Sequence, residues 1–483
     1  MPRIVFLWTD IVLWAMLFLL ALYAWRVRGN KNLRANWAKV VRDPAALGAA
    51  IVLLVFALVT MLDSVHFRRA LASVPGGSAD AAQSYSPVTE SLLDVVLARQ
   101  IATRETGYSR PLDWLGFSKV PLVRDGEAVR DFPRLTYGGA HLTDPERQWA
   151  GDVAWRIVAG AFAGLAVVAA AFLLAGLAMR REHGGWGAAL RDIAADRSTV
   201  PLRAALLTFA GICLVAGPVF MLAQGYHVFG TDRTGNDVFY QLLKSVRTAF
   251  VIGTLATVAT LPFAIVLGVL AGYFKGWVDE VIQYLYTTLS SVPNVLLIAA
   301  CVLMVQVYLD QHAELFETGS ERSDLKIFLL CVILGLTGWA TLCRLIRGET
   351  MKLRELEFVQ AANAFGVPHA RIMSRHIVPN VMHLVLITTV LSFSDLILYE
   401  AVLTYVGVGV DPSMHSFGGM INLARSQMSG DPVVWWSFVS AFVFMVTLVL
   451  SANLFADGVR DAFDPRARNF RPRLGKAKPH AAG

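Results

Sequence analysis

Apolar residues fall into nine long runs separated by polar and charged stretches. The runs lie near 4–24, 45–64, 154–178, 204–223, 248–274, 281–307, 325–346, 378–403 and 434–456. Each is long enough to cross a hydrocarbon core of about 30 Å as a helix. Lipid offers no partner for backbone N–H and C=O groups, so a helix is the expected form of every run. Pro262 and Pro293 interrupt two of them, which a bundle tolerates when neighbours or water satisfy the freed carbonyls. The pattern predicts an all-α polytopic membrane protein with about nine transmembrane helices.

The polar stretches between the runs alternate in charge. Arg26, Arg28, Lys31, Arg34, Lys39 and Arg42 crowd the 25–44 loop against Asp43 alone. Arg180, Arg181, Arg191, Arg197 and Arg203 mark the 179–203 loop, and Arg344, Arg347, Lys352, Arg354, Arg371 and Arg375 the 344–377 loop. The tail after 456 is also basic, whereas the 308–324 loop holds five carboxylates against Arg322, and 65–150 is balanced. Cytoplasmic loops carry the excess of Lys and Arg. The expected topology is therefore N-terminus outside and C-terminus in the cytoplasm. The first run is expected to be a membrane helix rather than a cleaved signal, because its basic residues follow it and only Arg3 precedes it.

Segment 65–150 is the one region large enough for a small extracytoplasmic insert. It holds short apolar pieces, Ser91–Leu97 and Trp114–Val123. A unit of this size is marginal alone and is expected to lean on the spans or on a partner.

Composition narrows the picture. Charged residues make up 16% of 483 and hydrophobic residues 55%, against roughly 25% charged in ordinary soluble domains. Mean hydropathy is +0.53. Intrinsic disorder is excluded by the abundance of Leu, Val, Ile and Phe. The four cysteines, Cys213, Cys301, Cys331 and Cys343, lie in apolar stretches and make no disulfide framework. The net charge of +7 reports orientation and says nothing of nucleic acid.

The chain has no GxxxxGK[ST] phosphate loop, no HExxH, no CxxC and no dinucleotide fingerprint. Its histidines share no ligand spacing, so no metal, cofactor or catalytic residue is expected on it. Two carboxylates lie inside the run 378–403, Asp395 near its middle or outer half and Glu400 near its outer end. Charge at membrane depth marks a pathway, a partner or a local structural pair. Asp395 and Glu400 are candidates for the translocation pathway or a permease interface, with a structural pairing to Ser392, Ser394 or an arginine as the alternative. Two carboxylates are few for a proton relay.

Segment 351–380, MKLRELEFVQAANAFGVPHARIMSRHIVPN, reads as two short helices around a turn. The first is expected over Leu353–Phe365. Gly366 supplies a left-handed break, Pro368 suits the first turn of the second helix, and Pro379 marks the return to the membrane. The small pair Ala361–Ala362 allows close docking to another protein.

This segment resembles the cytoplasmic EAA loop of ABC importer permeases. Gln360-Ala361-Ala362 stands where that family has Glu-Ala-Ala, Gly366 has the family spacing, and Val378-Pro379 closes the motif. Two positions depart from it, Gln360 for glutamate and His376 for isoleucine. The ending Arg375-His376-Ile377-Val378-Pro379-Asn380 is similar to the dipeptide, oligopeptide and nickel subgroup. Further pieces agree in order: Gly230-Thr231-Asp232 with Gly235-Asn236-Asp237, Ala271-Gly272-Tyr273-Phe274 with Gly276-Trp277-Val278-Asp279, Gly338-Trp339 through Arg344 and Arg347, Glu400 with Tyr405-Val406-Gly407-Val408-Gly409, and Asp457-Gly458 through Asp464-Pro465-Arg466. Together they cover roughly 204–468.

The resemblance implies a type I ABC importer permease fold for the last six spans. It implies a transport subunit with no ATPase site of its own, ATP and Mg²⁺ being bound by partner chains. The implied partners are a second homologous permease, two cytoplasmic ATPases and an extracytoplasmic solute-binding protein, in a bacterial inner membrane. The implied ATPase-coupling residues are Glu357, Gln360, Ala361, Ala362, Gly366, Arg371, His376 and Pro379. Di- or oligopeptides are the default solute, with nickel behind. The expected division is 1–64 with two spans, 65–150 extracytoplasmic, 151–203 with the third span and a basic loop, 204–468 as the permease domain, and 469–483 as a basic tail. The resemblance leaves the first three spans and 65–150 unexplained, and a docking or stabilising role is expected for them. A standalone secondary transporter, or a receptor with 65–150 as its sensor, is the competing reading. The transporter would need an internal repeat and coupling-ion residues in the bundle, and the chain shows no convincing repeat and few buried charges; the receptor leaves segment 351–380 unexplained.

Overall fold

The computed structural model describes residues 2–71, 85–124, 127–179, 187, 200–312, 314, 316, 318–430 and 432–463. The arginines of 180–199, the tail 464–483 and the Asp464-Pro465-Arg466 motif lie outside the described residues.

Nine described helices are long and apolar enough to cross a membrane. They are α1 (Trp8–Gly29), α3 (Pro44–Asp63), α6 (Pro145–Met179), α7 (Leu202–Leu222), α8 (Val238–Phe274), α10 (Asn294–Gln311), α11 (Gly319–Arg354), α14 (Val378–Tyr405) and α16 (Trp436–Phe463). Shorter helices join them: α2 (Lys31–Arg42), α4 (Leu92–Val96), α5 (Ala98–Ala102), α9 (Gly276–Ser291), α12 (Glu357–Ala364), α13 (His369–Ile372) and α15 (Phe417–Met428). Large apolar side chains such as Phe18, Phe162 and Val215 stand exposed on the spans, as lipid-facing positions must.

Two spans differ in their bounds from the sequence expectation. The run 281–307 is two helices, α9 and α10, because Pro293 has no N–H to continue the ladder and caps α10 instead. Pro262 lies inside α8, which continues through it. Helix α11 begins before 325 and runs to Arg354, so Arg344 and Arg347 are helical residues, not loop residues. Asp324 likewise sits on α11, not in the acidic loop.

Among the described residues, helices α8 and α11 form the most extensive helix pair. Helices α6 and α7 form the next, by direct backbone contact: a Cβ at Gly160 of α6 would lie 2.6 Å from the Gly217 carbonyl oxygen of α7. Small residues at such a crossing let helices associate where no aqueous hydrophobic force drives them together.

The first spans are built into the core. Leu13 of α1 packs with Ile252, Ile298 and Ile327. Phe56 of α3 packs with Val238, Phe417 and Trp436. At the other end Val40 of α2 and Ala46 of α3 pack with Val459 and Phe463 of α16. The start of α1 and the end of α16 therefore lie at opposite ends of the bundle.

The expected extracytoplasmic segment is partly β. Strands β1 (Arg3–Val5), β2 (His66–Arg68) and β3 (Glu90–Ser91) form an antiparallel sheet in that order, pairing Val5 with His66 and His66 with Ser91. The sheet brings the start of α1, the end of α3 and the start of α4 to one place. Ser91 caps α4 in a capping box with Asp94, so Ser91–Leu97 is mostly helix. The piece Trp114–Val123 instead leads into a hairpin of β4 (Val120–Arg124) and β5 (Glu127–Asp131).

Candidate functional site

The segment 351–380 forms a compact step at the end of α8 and α11 opposite the sheet. The expected helix Leu353–Phe365 is broken: α11 ends at Arg354, Glu355 caps it, and α12 starts at Glu357. At the far end of α12, the Gly366 N–H donates to the Asn363 carbonyl at 3.0 Å and the Val367 N–H to the Ala362 carbonyl at 3.1 Å. These two bonds, with Gly366 at φ +71°, make a Schellman close that favours glycine. Pro368 sits one position earlier than expected, as the cap of α13. Helix α13 then runs through a π turn, Met373–Ile377, into α14. Pro379 is the cause: it has no N–H to donate, and the ladder resets around it.

The apolar side of the step is anchored. Val359, Ile372 and Ile377 are fully buried among Ala271, Tyr273 and Ile346. Ala362 is half-buried on the same cluster. The buried Tyr273, at the end of α8, hydrogen-bonds Asn363 at 3.1 Å and His369 Nδ1 at 2.8 Å. Arg354 donates to the Tyr273 carbonyl at 2.6 Å. Arg347 holds Asp279 with two bonds of 2.5 and 2.7 Å, tying α11 to α9. Those bonds, against a smaller cost of burial, keep the Asp279 carboxyl below its ordinary value.

The other side is open. Glu357, Gln360, Ala361, Gly366, Arg371 and Pro379 are all exposed. Gln360 donates to the Glu355 carbonyl at 3.2 Å. His376 is half-buried, its ring 6.0 Å from that of Phe358. The sequence reading missed Phe365, which is 87% exposed just before the glycine. Its position in an otherwise helical stretch was the available signal. A bare aromatic beside exposed small residues is a docking surface in form.

Asp395 and Glu400 do not meet. Five residues apart, they differ by about 140° around a helix. Asp395 is exposed on the outside of the chain and Glu400 is buried. Thr404 donates to Glu400 at 2.8 Å and accepts from the Val410 N–H at 3.1 Å. Glu400 therefore has the local structural partner that the sequence left open, though its partners are Thr404 and Ser416 and not Ser392, Ser394 or an arginine.

The expectation of few buried charges is overturned at the opposite ends of α8 and α11. Arg247 of α8 donates to Asp10 at 2.7 Å and to Thr9 at 2.8 Å on α1, and lies 3.5 Å from Asp324 of α11. Thr9 bonds Asp324 through both its N–H and its hydroxyl. His66 reaches Asp10 at 2.7 Å. One turn earlier, Lys244 contacts Asp63 of α3 at 2.6 Å and Asp94 of α4 at 2.8 Å, and Tyr240 donates to Asp94. Sequence spacing hides these groups, because each element contributes one or two of them.

The Gly230–Asp237 motif completes this end. Asp232 accepts from the Thr234 N–H and hydroxyl, each at 2.8 Å, the Asn236 N–H at 2.9 Å and Gln241 at 2.5 Å. Asp237 caps α8 through the Phe239 N–H, and its other oxygen meets His227 Nδ1 at 2.8 Å. His227 Nε2 lies 3.5 Å from Glu105, an ion-pair distance. Glu105 accepts the N–H groups of Thr136, Tyr137 and Gly138. Burial alone would raise the Glu105 carboxyl, but His227 and the three N–H donors bring it down to about 2. Burial would lower His227, but the hydrogen bonds and charges of Asp237 and Glu105 raise it to about 9. Thr231 binds Gly107 and Ser109, and Trp436 of α16 donates to its carbonyl at 3.1 Å. Segment 65–150 is thus fastened to the motif that opens α8.

Among the described residues no cluster of His, Cys, Asp or Glu is placed to hold a metal ion. The family model of the binding-protein-dependent transport system inner membrane component matches residues 264–469. The oligopeptide transport system permease protein OppC of Mycobacterium bovis is 32% identical over 245 residues, covering 51% of this chain and 78% of that protein. The dipeptide transport system permease protein DppC of Alkalihalophilus pseudofirmus is 30% identical over 243 residues, covering 50% and 73%. The inward-facing MetNI methionine ABC transporter superposes at a TM-score of 0.33 and 14% identity, over 46% of this chain and 94% of that one, too loosely to carry an argument. The 351–380 step lies wholly inside the matched region. The match to OppC, at 32% identity over more than three quarters of that protein, shows that the chain belongs to the family of binding-protein-dependent transport system inner membrane components, as a multi-pass transport subunit.

Proposed function

We propose that the chain is one of two permease subunits of an ATP-driven importer for di- or oligopeptides. It lines half of the translocation pathway with a second, homologous permease. Two cytoplasmic ATPases, which bind ATP and Mg²⁺, engage it at 351–380, and an extracytoplasmic binding protein delivers the solute. The solute class rests on relatives that are peptide permeases by name. The basic 25–44 loop lies at the same end of the bundle as the 351–380 step, which supports a cytoplasmic face there and an outward N-terminus.

The observation that carries the reading is the two-sided build of the 351–380 step. Its buried side locks onto α8, α11 and α14 through Val359, Ile372 and Tyr273. Its free side presents Glu357, Gln360, Ala361, Gly366, Arg371 and Phe365 to a partner. A partner that closes on the free side moves the ends of three spans together. His376 and Pro379 act by shaping the return into α14. Asp395, exposed at membrane depth, is assigned to the interface with the second permease, where a partner group spares it contact with lipid. Residues 204–468 form the permease domain, and 1–64, 65–150 and 151–203 are added to it. The tail 469–483 is cytoplasmic.

The test is reconstitution with the neighbouring transport genes. The wild-type chain is expected to co-purify with two ATPases and to take up peptide only with ATP and binding protein present. Gly366→Pro and Ala361→Leu are expected to insert in the membrane yet lose uptake. Normal uptake by both variants would refute the coupling role.

A further inference from the structure

The added N-terminal region supplies the counter-charges of the permease core. Lys244 and Arg247 both lie on α8, three residues apart, and hence on one face of the helix. Their side chains are 13% and 4% exposed. Asp324 of α11 is 3.5 Å from Arg247, so the core alone offers these two cations one carboxylate. The close partners come from elsewhere: Asp10 from α1, Asp63 from α3 and Asp94 from α4. Ser91 adds a hydroxyl that donates to Asp63 at 2.6 Å. The β1–β2–β3 sheet sets these three elements side by side. Burial would raise the Asp94 carboxyl, but the Lys244 charge and the bonds from Lys244, Ser91 and Tyr240 hold it below its ordinary value.

Helices α8 and α11 run from this network to the 351–380 step. At one end they carry Arg247 and Asp324; at the other they carry Tyr273 and Arg354, which hold the step. A displacement imposed at the step travels along two long, mutually packed helices. Its size at the far end depends on what restrains them there.

We propose that α1, α3 and α4 form a polar brace on the outer halves of α8 and α11, and that Asp10, Asp63 and Asp94 are positioning residues for transport. The proposal rests on the coupling role of 351–380. The brace gives the added spans a stabilising and transmitting role, in place of docking.

The experiment uses the assembled complex in proteoliposomes, with peptide uptake and ATP hydrolysis measured together. Removing one carboxylate leaves a buried charge cluster unbalanced and risks misfolding. The informative variant therefore neutralises the whole Lys244 arm: Asp63→Asn, Asp94→Asn and Lys244→Met in one chain. Replacing a buried ion cluster by neutral groups is often tolerated in stability, so assembly with the ATPases should persist. The expected result is uptake per ATP hydrolysed lowered about five- to tenfold, the scale at which residues between coupled sites act. A second variant, Asp63→Lys with Lys244→Asp and Asp94→Asn, restores an opposite-charge pair without setting two carboxylates together and should recover part of the uptake. Wild-type uptake per ATP in the assembled neutral variant overturns the brace. Wild-type complex that shows no ATP-driven uptake at all overturns the functional reading and the brace with it.

Discussion

The two ends of the α8–α11 pair are built in opposite ways. At the 351–380 end the polar residues are exposed, and the step is held by buried apolar residues and a few tyrosine and arginine bonds. At the far end the charges are buried and paired, and they join α1, α3, α4, α8 and α11. The difference follows from what each end meets. A surface that a separate chain must grip cannot satisfy itself beforehand. Charges buried between the spans must be satisfied within the chain, because unpaired charge near lipid is costly. The same two helices therefore offer a free surface at one end and a closed network at the other.

That contrast can be broken in order of expected size. Gly366→Pro should be the most severe. Proline cannot take the φ of +71° found there, so α12 and α13 lose their relative direction and uptake should vanish while membrane insertion persists. Peptide uptake by cells with immunoblotting of membranes reads both quantities. Glu105→Ala comes next. It leaves three N–H groups without their acceptor and removes the carboxylate 3.5 Å from His227, and should cost about 3 kcal/mol at the far end, seen as faster proteolysis of residues 105–138 in detergent. An equal cleavage rate would show that the network there is not under load.

The third test is pH. His227 is raised from 6.5 to about 9, so its contribution is complete below pH 6.5 and is lost as pH rises through 9. Glu105 is lowered from 4.5 to about 2, so its contribution holds above pH 4.5 and is lost as pH falls through 2. The fastening of 105–138 should therefore be firm between pH 4.5 and 6.5 and should weaken toward pH 9 and above. Hydrogen exchange at the Tyr137 and Gly138 amides, corrected for the intrinsic pH dependence, measures it. Constant protection from pH 6 to 10 would count against the charged state of His227.

Two smaller changes probe the 351–380 end. Arg347→Ala removes the two-bond grip on Asp279 and should cost about 1.5 kcal/mol, read as a lower melting midpoint of the assembled complex. Lys275→Ala removes an ion pair to Glu355 whose side chains are 40% and 59% exposed. Solvent-exposed pairs contribute little, so uptake and melting should be unchanged. A loss on Lys275→Ala would mean that this exposed end also relies on charge pairing, and the contrast would fail.

The fold class was legible in the sequence because span length and apolarity are local quantities. So was Gly366, since its spacing from Ala361 and Ala362 and its position between two helical stretches are read along the chain. The helix break at Glu355, the π turn at Pro379 and the split at Pro293 were only partly legible. Each depends on which carbonyl loses its donor in the folded ladder. The aromatic Phe365 was overlooked because exposure of one face of a short helix is set by what the other face buries, here Val359 and Ala362.

By itself the sequence determined a membrane protein of about nine helical spans, the charge asymmetry of its loops, and the position of segment 351–380. The tertiary structure alone decided that Asp10, Asp63 and Asp94 belong with Lys244 and Arg247, and that Glu105, His227 and Asp237 form one network. The physical reason is separation along the chain. Lys244 and Asp63 are 181 positions apart and Arg247 and Asp10 are 237 apart, so no periodicity links them. Only the crossing of the helices, fixed by packing and by the small sheet at their ends, brings each charge to its partner.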